Sequence, residues 1–102
     1  MPYLVSATGH ARRQIEAAGR WWLMNRDKAP ELFVNELEAA QLLLAAEPGA
    51  GTAFPTPRYP GARRLLMVKT RYHIYYTVHD EEGIVLIRAV WHASRGRVPA
   101  LR

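Results

Sequence analysis

Three histidines in the second half of the chain, His73, His79 and His92, are the side chains best suited to acid–base chemistry. An imidazole titrates close to neutral pH, so it can accept or donate a proton under physiological conditions. A single histidine on a strand is more often structural or solvated than catalytic. The three are therefore candidates for proton transfer, and a structural role is the alternative for each.

Other common kinds of chemical site have no counterpart in the sequence. Cysteine is absent, and the four histidines are scattered, with no close-spaced ligand pair on a predicted helix. No glycine-rich segment is followed by Lys-Ser or Lys-Thr, which excludes a nucleotide-binding P-loop. We therefore expect no metal and no cofactor.

Positive charge is concentrated in the C-terminal half of the chain. The net charge is +5 and the isoelectric point is about 10.1. The chain has 14 Lys and Arg residues and nine Asp and Glu residues. Residues 1–51 contain five of the basic and six of the acidic residues, which leaves nine basic and three acidic residues in residues 52–102. Such a half attracts an anionic partner, either nucleic acid or an acidic protein, unless it is only a solvated basic surface.

Arginines from different predicted strands and from the chain end form the candidate binding group. In an antiparallel sheet they could converge on one face or edge. The alternative is again a solvated face. The candidate binding residues are Arg63, Arg64, Arg88, His92, Arg95 and Arg97.

Two amphipathic helices are predicted to support these residues. Thr8 is a suitable N-cap for a helix from about His10 to Asn25. Pro30 is predicted as the first residue of a second helix, which runs to about Ala46 and stops before Pro48-Gly49. Apolar residues in both helices recur at steps of four, three and four, so each helix has one apolar stripe. The short connection predicts an antiparallel helical hairpin, and its two apolar stripes must pack against a third surface.

Four segments are predicted as strands: residues 3–6, 63–68, 71–79 and 84–91. A Pro/Gly-rich loop covers residues 47–62, and residues 92–99 are predicted to form a basic, flexible tail. In residues 71–79, alternation predicts Tyr72 and Tyr76 in the core and Tyr75 more exposed. In the last strand Val85, Ile87, Ala89 and Trp91 are predicted to form one continuous apolar face.

The predicted fold class is α+β, with the N-terminal strand and the helical hairpin packed on a C-terminal antiparallel sheet. A chain of 102 residues corresponds to one domain. No apolar run approaches the ~18–20 residues of a membrane span, and the N-terminus does not resemble a secretory signal. Together with the absence of cysteine, this predicts a cytoplasmic protein.

The order of these elements and three motifs resemble the ParE branch of the ParE/RelE toxin superfamily, the plasmid stabilisation toxins. The motifs are Arg63-Arg64-Leu65-Leu66, Arg71-Tyr72-His73-Ile74-Tyr75-Tyr76 and Val90-Trp91-His92-Ala93-Ser94-Arg95-Gly96-Arg97. The most specific part is a tyrosine-rich strand followed, about one hairpin later, by a hydrophobic-His-x-x-Arg ending. The resemblance covers nearly the whole chain.

This resemblance implies a bacterial growth inhibitor encoded beside an antitoxin that neutralises it. The ParE branch is associated with poisoning DNA gyrase by binding, and the RelE branch with cutting messenger RNA on the ribosome. We therefore expect a non-enzymatic toxin that forms a hetero-oligomer with a ParD-like antitoxin. Because the chain is basic, the antitoxin segment that binds it should be acidic and carry apolar anchors at helical spacing.

A ribosome-dependent endoribonuclease is the alternative function that the resemblance leaves open. RelE-type cleavage uses several Lys or Arg residues and usually a tyrosine near the C-terminus, which is absent after Arg97. If this chain were a nuclease, His73 and His92 would be the proton-transfer groups. Arg64 and Arg95 would then be the cations that stabilise the reacting phosphate.

Overall fold

Two helices and five strands follow one another along residues 2–102, the part of the chain that the computed structural model describes. Strand β1 (Leu4–Ala7) precedes helices α1 (Gly9–Asn25) and α2 (Leu32–Ala46). A 3-10 turn (Pro48–Ala50) and strands β2 (Thr52–Ala53), β3 (Arg63–Met67), β4 (Tyr72–His79) and β5 (Ile84–His92) complete the order. The predicted helices and long strands are therefore confirmed, with ends that differ by one or two residues.

The start of α1 is stabilised as its sequence predicts. The Thr8 side chain accepts a hydrogen bond from the Ala11 N–H at 3.1 Å, which satisfies a backbone donor that lacks a partner within the helix. Helix α2 begins at Leu32, so the prediction that Pro30 is its first residue is wrong by two positions. The Ala29 and Leu32 N–H groups bond instead to the Arg26 and Ala29 carbonyls, which makes two successive turns of residues 26–29 and 29–32.

The sheet has the order β1-β5-β4-β3-β2 and is mixed. The short connections pair β3, β4 and β5 antiparallel, as predicted. Strand β1 pairs parallel with β5, and both helices and strands β2 to β4 lie between the two in the chain, so no short connection constrains their direction. The long loop is more ordered than the sequence suggested, since β2 pairs with β3 as an edge strand.

A bulge at Arg88 reverses the side of the sheet that the following side chains of β5 face. Tyr75 pairs with Ala89 but Tyr76 pairs with Ile87, so Arg88 is an extra residue in β5. Val85 and Ile87 therefore pack under the helices, whereas Ala89 and Trp91 belong to a second cluster on the other side. The prediction of one continuous apolar face along β5 is wrong for this reason.

The two faces of the sheet cover different cores. The helix side holds the main core, in which Phe33, Ile74 and Tyr76 are fully buried, and Tyr72 packs against it as predicted. The opposite side holds a smaller cluster of Ala62, Tyr75, Ala89 and Leu101. Tyr75 is only 3% exposed, so its predicted exposure is wrong: the loop before β3 and the chain end cover it.

The C-terminal segment is part of this second cluster. Pro99 and Leu101 are buried, and the Arg102 N–H donates to the Arg88 carbonyl at 3.4 Å. Within residues 92–99, the predicted flexible tail, His92 still belongs to β5 and Pro99 is buried, so the prediction is wrong at both ends of that segment. Leu101, beyond it, completes the cover over Tyr75. None of the helices in residues 2–102 is long and apolar enough to cross a membrane.

Candidate functional site

The sheet side opposite the helices, called the outer face below, carries several of the predicted binding residues. The strand register assigns it the side chains of Arg64, His73, Tyr75, Thr77, Arg88, Ala89 and Trp91. Tyr75 and Ala89 are buried under the loop and the chain end. The polar and charged groups around them form the surface that can meet a partner.

Arg63 and Arg64 are neighbours in β3 and therefore lie on opposite sides of the sheet. The Arg63 guanidinium donates to the Gly51 carbonyl at 2.6 and 3.0 Å and to the Gly49 carbonyl at 3.1 Å. It closes the loop that leads into β2. Arg64 lies on the outer face, with its guanidinium carbon 4.8 Å from the Phe54 ring centroid. The two arginines do not converge, and only Arg64 faces outward.

Arg88 is held within the fold by the bulge. Its guanidinium donates to Thr77 Oγ1 at 2.9 Å and to the Tyr59 hydroxyl at 3.0 Å, and it lies 4.0 Å from the Tyr59 ring centroid. The Arg102 carbonyl accepts a further, longer bond from it at 3.5 Å. Arg88 thus links the loop, the sheet and the chain end.

Arg95 and Arg97 are gathered around Trp91 at the end of β5. Their guanidinium carbons lie 4.2 and 5.5 Å from the Trp91 ring centroid, within the range of cation–π attraction. The Trp91 indole N–H donates to the Arg97 carbonyl at 3.0 Å, which fixes the turn after the strand. Both arginines are exposed, so their charges remain available at the surface.

His73 lies on the outer face in a positively charged environment. Burial lowers its pKa, and the positive charges of Arg64 and Arg71 lower it further. Burial and both charges therefore disfavour the protonated imidazole. Its ring lies 5.9 Å from the ring of Tyr75, centroid to centroid.

His92 lies on the other side of the sheet. It pairs with Tyr72 across the strands, and the two rings meet edge to face with centroids 4.9 Å apart. The Ser94 N–H donates to its Nδ1 at 3.1 Å, and the Ser94 hydroxyl oxygen lies 2.7 Å from the same atom. His73 and His92 therefore face opposite sides, and the structure does not bring the two candidate proton-transfer groups together.

A cleft of about 750 Å³ separates the second half of α1 from the ends of β4 and β5. It is called the α1–β5 cleft below. Its basic lining consists of Arg26, Lys69, Arg71, His92 and Arg95. Sequence reasoning did not select Arg26 or the neighbouring Trp22. The available signal was the pair Trp21-Trp22 followed by a basic residue one turn later.

No group of three or more metal-ligating side chains occurs among the residues that the structure describes. Glu36 is an acidic side chain beside the cleft residues Lys69 and Thr70, and it has a structural role. Its carboxylate accepts hydrogen bonds from the Lys69 and Thr70 N–H groups and from the Thr70 hydroxyl. It ties α2 to the turn between β3 and β4.

Comparison with known proteins assigns the family. Residues 5–96 match the model described as the ParE toxin of the type II toxin-antitoxin system parDE. The chain therefore belongs to the ParE toxin family, and it is a type II toxin of the ParE/RelE superfamily. A comparison with curated proteins finds no significant match.

Solved toxin structures share the fold. The RelBE2 toxin-antitoxin complex of Mycobacterium tuberculosis matches with a TM-score of 0.68 and 25% identity, over 92% of this chain and 95% of the other. The chromosomal ParDE system of P. aeruginosa gives a TM-score of 0.67 and 15% identity, over 90% and 97%. The intact RelBE complex of E. coli gives 0.59 and 18%, over 91% and 99%. Toxins of both branches thus have this architecture.

Proposed function

We propose that this toxin stops bacterial growth by binding DNA gyrase, without chemistry of its own. The observation that carries the proposal is the separation of His73 and His92 on opposite sides of the sheet. Cleavage of RNA by its own 2′-hydroxyl requires one group to take a proton and another to supply one at the same phosphate. His73 and His92, the two groups named for these roles, do not form such a pair.

The proposed gyrase-binding surface consists of Arg64, Arg95 and Arg97 with the ring of Trp91. Arginine and tryptophan are the side chains that most often dominate binding energies at protein interfaces. Trp91 restricts the two exposed guanidinium groups beside it, so less conformational entropy is lost when a partner binds them. Arg63 and Arg88 support the fold in this proposal, and His92 lies beside the surface.

A cognate ParD-like antitoxin would neutralise the toxin in the cytoplasm by forming a hetero-oligomer with it. The RelBE2, ParDE and RelBE relatives are described as toxin–antitoxin systems or complexes, which supports a partner of this kind. The net charge of +5 favours an acidic antitoxin segment.

Endoribonuclease activity is the second candidate function, and one observation favours it. His73 lies on the outer face close enough to Arg64 for that charge to lower its pKa, and an imidazole beside a guanidinium could take a proton next to a bound phosphate. His73 is the candidate beside Arg64, whereas His79 lies six residues further along β4 and contacts Thr77 at 2.8 Å. The nuclease model therefore depends on His73 and predicts that replacing this residue severely reduces killing.

Growth assays with His73→Ala separate the two functions, and Arg95→Ala with Arg97→Ala tests the proposed surface. We expect Arg95→Ala with Arg97→Ala to abolish killing, since both guanidinium groups of the proposed surface are lost. His73→Ala should retain killing, whereas a nuclease would lose about 10²–10⁴-fold in rate. Arg12→Ala with Arg20→Ala, on exposed positions of α1, is the charge-matched control. Circular dichroism first establishes that each variant is folded. Loss of killing in His73→Ala alone would favour the nuclease.

A further inference from the structure

The two helices have an outward side that covers nothing within the chain. Their buried residues pack on the sheet, and helical periodicity turns the residues about half a turn away from these outward. The outward residues used below are called the hairpin face, and all of them are exposed. The hairpin face consists of Arg13, Arg20 and Met24 of α1 and Asn35, Glu38 and Leu42 of α2.

The hairpin face carries apolar side chains that meet water in the single chain. Met24 is 78% and Leu42 72% exposed, the highest values among the large apolar residues that the structure describes. Trp21 and Val34, on the same two helices, are 45% and 48% exposed. A single exposed apolar side chain is ordinary, whereas several on one side of a domain mark an interaction surface.

The two helices of the hairpin carry opposite charges. Helix α1 contains three arginines and one glutamate, whereas α2 contains two glutamates and no basic residue. Of these two, Glu36 bonds to the turn between β3 and β4, and Glu38 is exposed. The exposed Glu31 precedes α2 and adds to its negative charge. The hairpin face is therefore basic along one helix and acidic along the other.

We propose that the hairpin face binds a second copy of this chain, in a symmetric dimer in which α1 of each copy packs on α2 of its partner. In a twofold interface the same surface of both subunits meets itself, so the surface must be complementary to itself. A twofold axis parallel to the helices places the basic α1 across from the acidic α2 of the partner. An axis perpendicular to the helices would place α1 on α1 and bring the arginines of both copies together, which is unfavourable.

The distribution of charge over the whole chain favours the same side for contact between copies. Two chains of net charge +5 repel one another, but residues 1–51 contain five basic and six acidic residues, so the excess lies in residues 52–102. The outer face, with Arg64 and Trp91, lies on the other side of the sheet from the helices. The dimer keeps these two basic surfaces apart. An anionic partner would be drawn to them, and not to the nearly neutral hairpin.

This inference is independent of the proposed gyrase binding. The hairpin face and the outer face lie on opposite sides of the molecule, so a dimer leaves the proposed gyrase-binding surface accessible in both copies. Variants that abolish the dimer should therefore still kill. Loss of the dimer and loss of killing are separate results.

The test uses two charge variants of the full chain in sedimentation equilibrium, from low to high micromolar concentration. Arg13→Glu with Arg20→Glu makes both helices acidic, and Asn35→Arg with Glu38→Arg makes both basic. We expect wild type to reach twice the chain mass of 11.6 kDa. Each variant alone should dimerise roughly tenfold or more weakly, because like charges then face one another. An equimolar mixture of the two variants should dimerise again, since each helix then meets one of opposite charge.

Glu81→Arg with Glu82→Arg is the control, in the exposed turn between β4 and β5 and away from the hairpin face. It should dimerise as wild type does. Circular dichroism first establishes that each variant is folded. Met24→Lys, at a position where no packing is lost, is the substitute for any variant that is not folded, and it should also weaken the dimer.

Three results would overturn the proposal. A wild-type chain that stays at the mass of one copy excludes the dimer, and if the variants then lose affinity only for the adjacent gene product, the hairpin face belongs to that partner. Variants that dimerise like wild type would show that the interface lies elsewhere. Variants that are monomeric alone and remain so when mixed would show that α1 does not face α2 of the partner.

Discussion

Glu36 illustrates how one side chain fixes a turn that presents basic residues. Its carboxylate accepts bonds of 2.7, 2.8 and 2.7 Å from the Lys69 N–H, the Thr70 N–H and the Thr70 hydroxyl. These bonds position the turn from which Lys69 and Arg71 reach the α1–β5 cleft. Burial alone would raise the pKa of Glu36, but the hydrogen bonds and the charge of Lys69 outweigh it, and the pKa is lowered.

The lowered pKa predicts a stability that depends on pH. A carboxylate with a lower pKa in the folded than in the unfolded state stabilises the fold above its unfolded value, ordinarily near 4.5. That contribution is lost as the pH falls through the folded-state pKa. We expect Glu36→Gln to lower the free energy of unfolding by about 1–3 kcal/mol at pH 7 and to flatten its decline in acid. Urea unfolding from pH 3 to 7 measures both effects.

Glu38→Gln is the matched control for this prediction. Glu38 is exposed on the same helix, and the structure gives it no hydrogen bond to the β3–β4 turn. Its replacement should leave the unfolding curve nearly unchanged. An unaltered pH profile in Glu36→Gln would mean that the carboxylate does not hold the turn in solution.

At the level of elements, periodicity predicted the helices and the three long strands well. Capping by Thr8 and the stop before Pro48 are local effects, so the sequence contains them. The side of the sheet that each β5 side chain faces could not be predicted in this way, because a single extra residue at Arg88 reverses the alternation. The partners of the Arg88 side chain, Thr77 and Tyr59, are distant in sequence, and no local pattern indicates them.

The chain end is the element for which the prediction from sequence and the structure differ most. Leu101 is 7% exposed and packs with Tyr75 and Ala89, so truncation would remove a part of the core. We expect Leu101→Ala to destabilise the fold by about 2 kcal/mol, at the low end for buried leucines because the cluster is small. Urea unfolding measures this loss.

Val98→Ala is the comparison for Leu101→Ala, since Val98 is 58% exposed in the same segment. It should unfold at nearly the wild-type midpoint. Equal midpoints for the two variants would contradict the packing of the chain end on the outer face. The same packing means that the gyrase surface is better tested by substituting Arg95 and Arg97 than by deleting the segment.

At the level of the whole molecule, the charge pattern predicted that the basic C-terminal half binds a partner. It did not predict which of the basic residues bond within the fold and which remain at the surface. Arg63 bonds to carbonyls of Gly49 and Gly51 and Arg88 to side chains of the loop and sheet, so neither is free for a partner in the structure. Arg26, from the weakly charged first half, joins the cleft instead. Which arginines have partners depends on tertiary contacts, and composition cannot reveal these.

Supercoiling by purified gyrase, in the presence of the full-length toxin, is the measurement that tests the central claim most directly. The account predicts that wild-type toxin inhibits supercoiling and accumulates cleaved DNA. Arg95→Ala with Arg97→Ala should not inhibit, and ribosome-bound messenger RNA should stay intact in a parallel reaction. Full gyrase activity at saturating wild-type toxin, together with cleavage of the messenger, would contradict it.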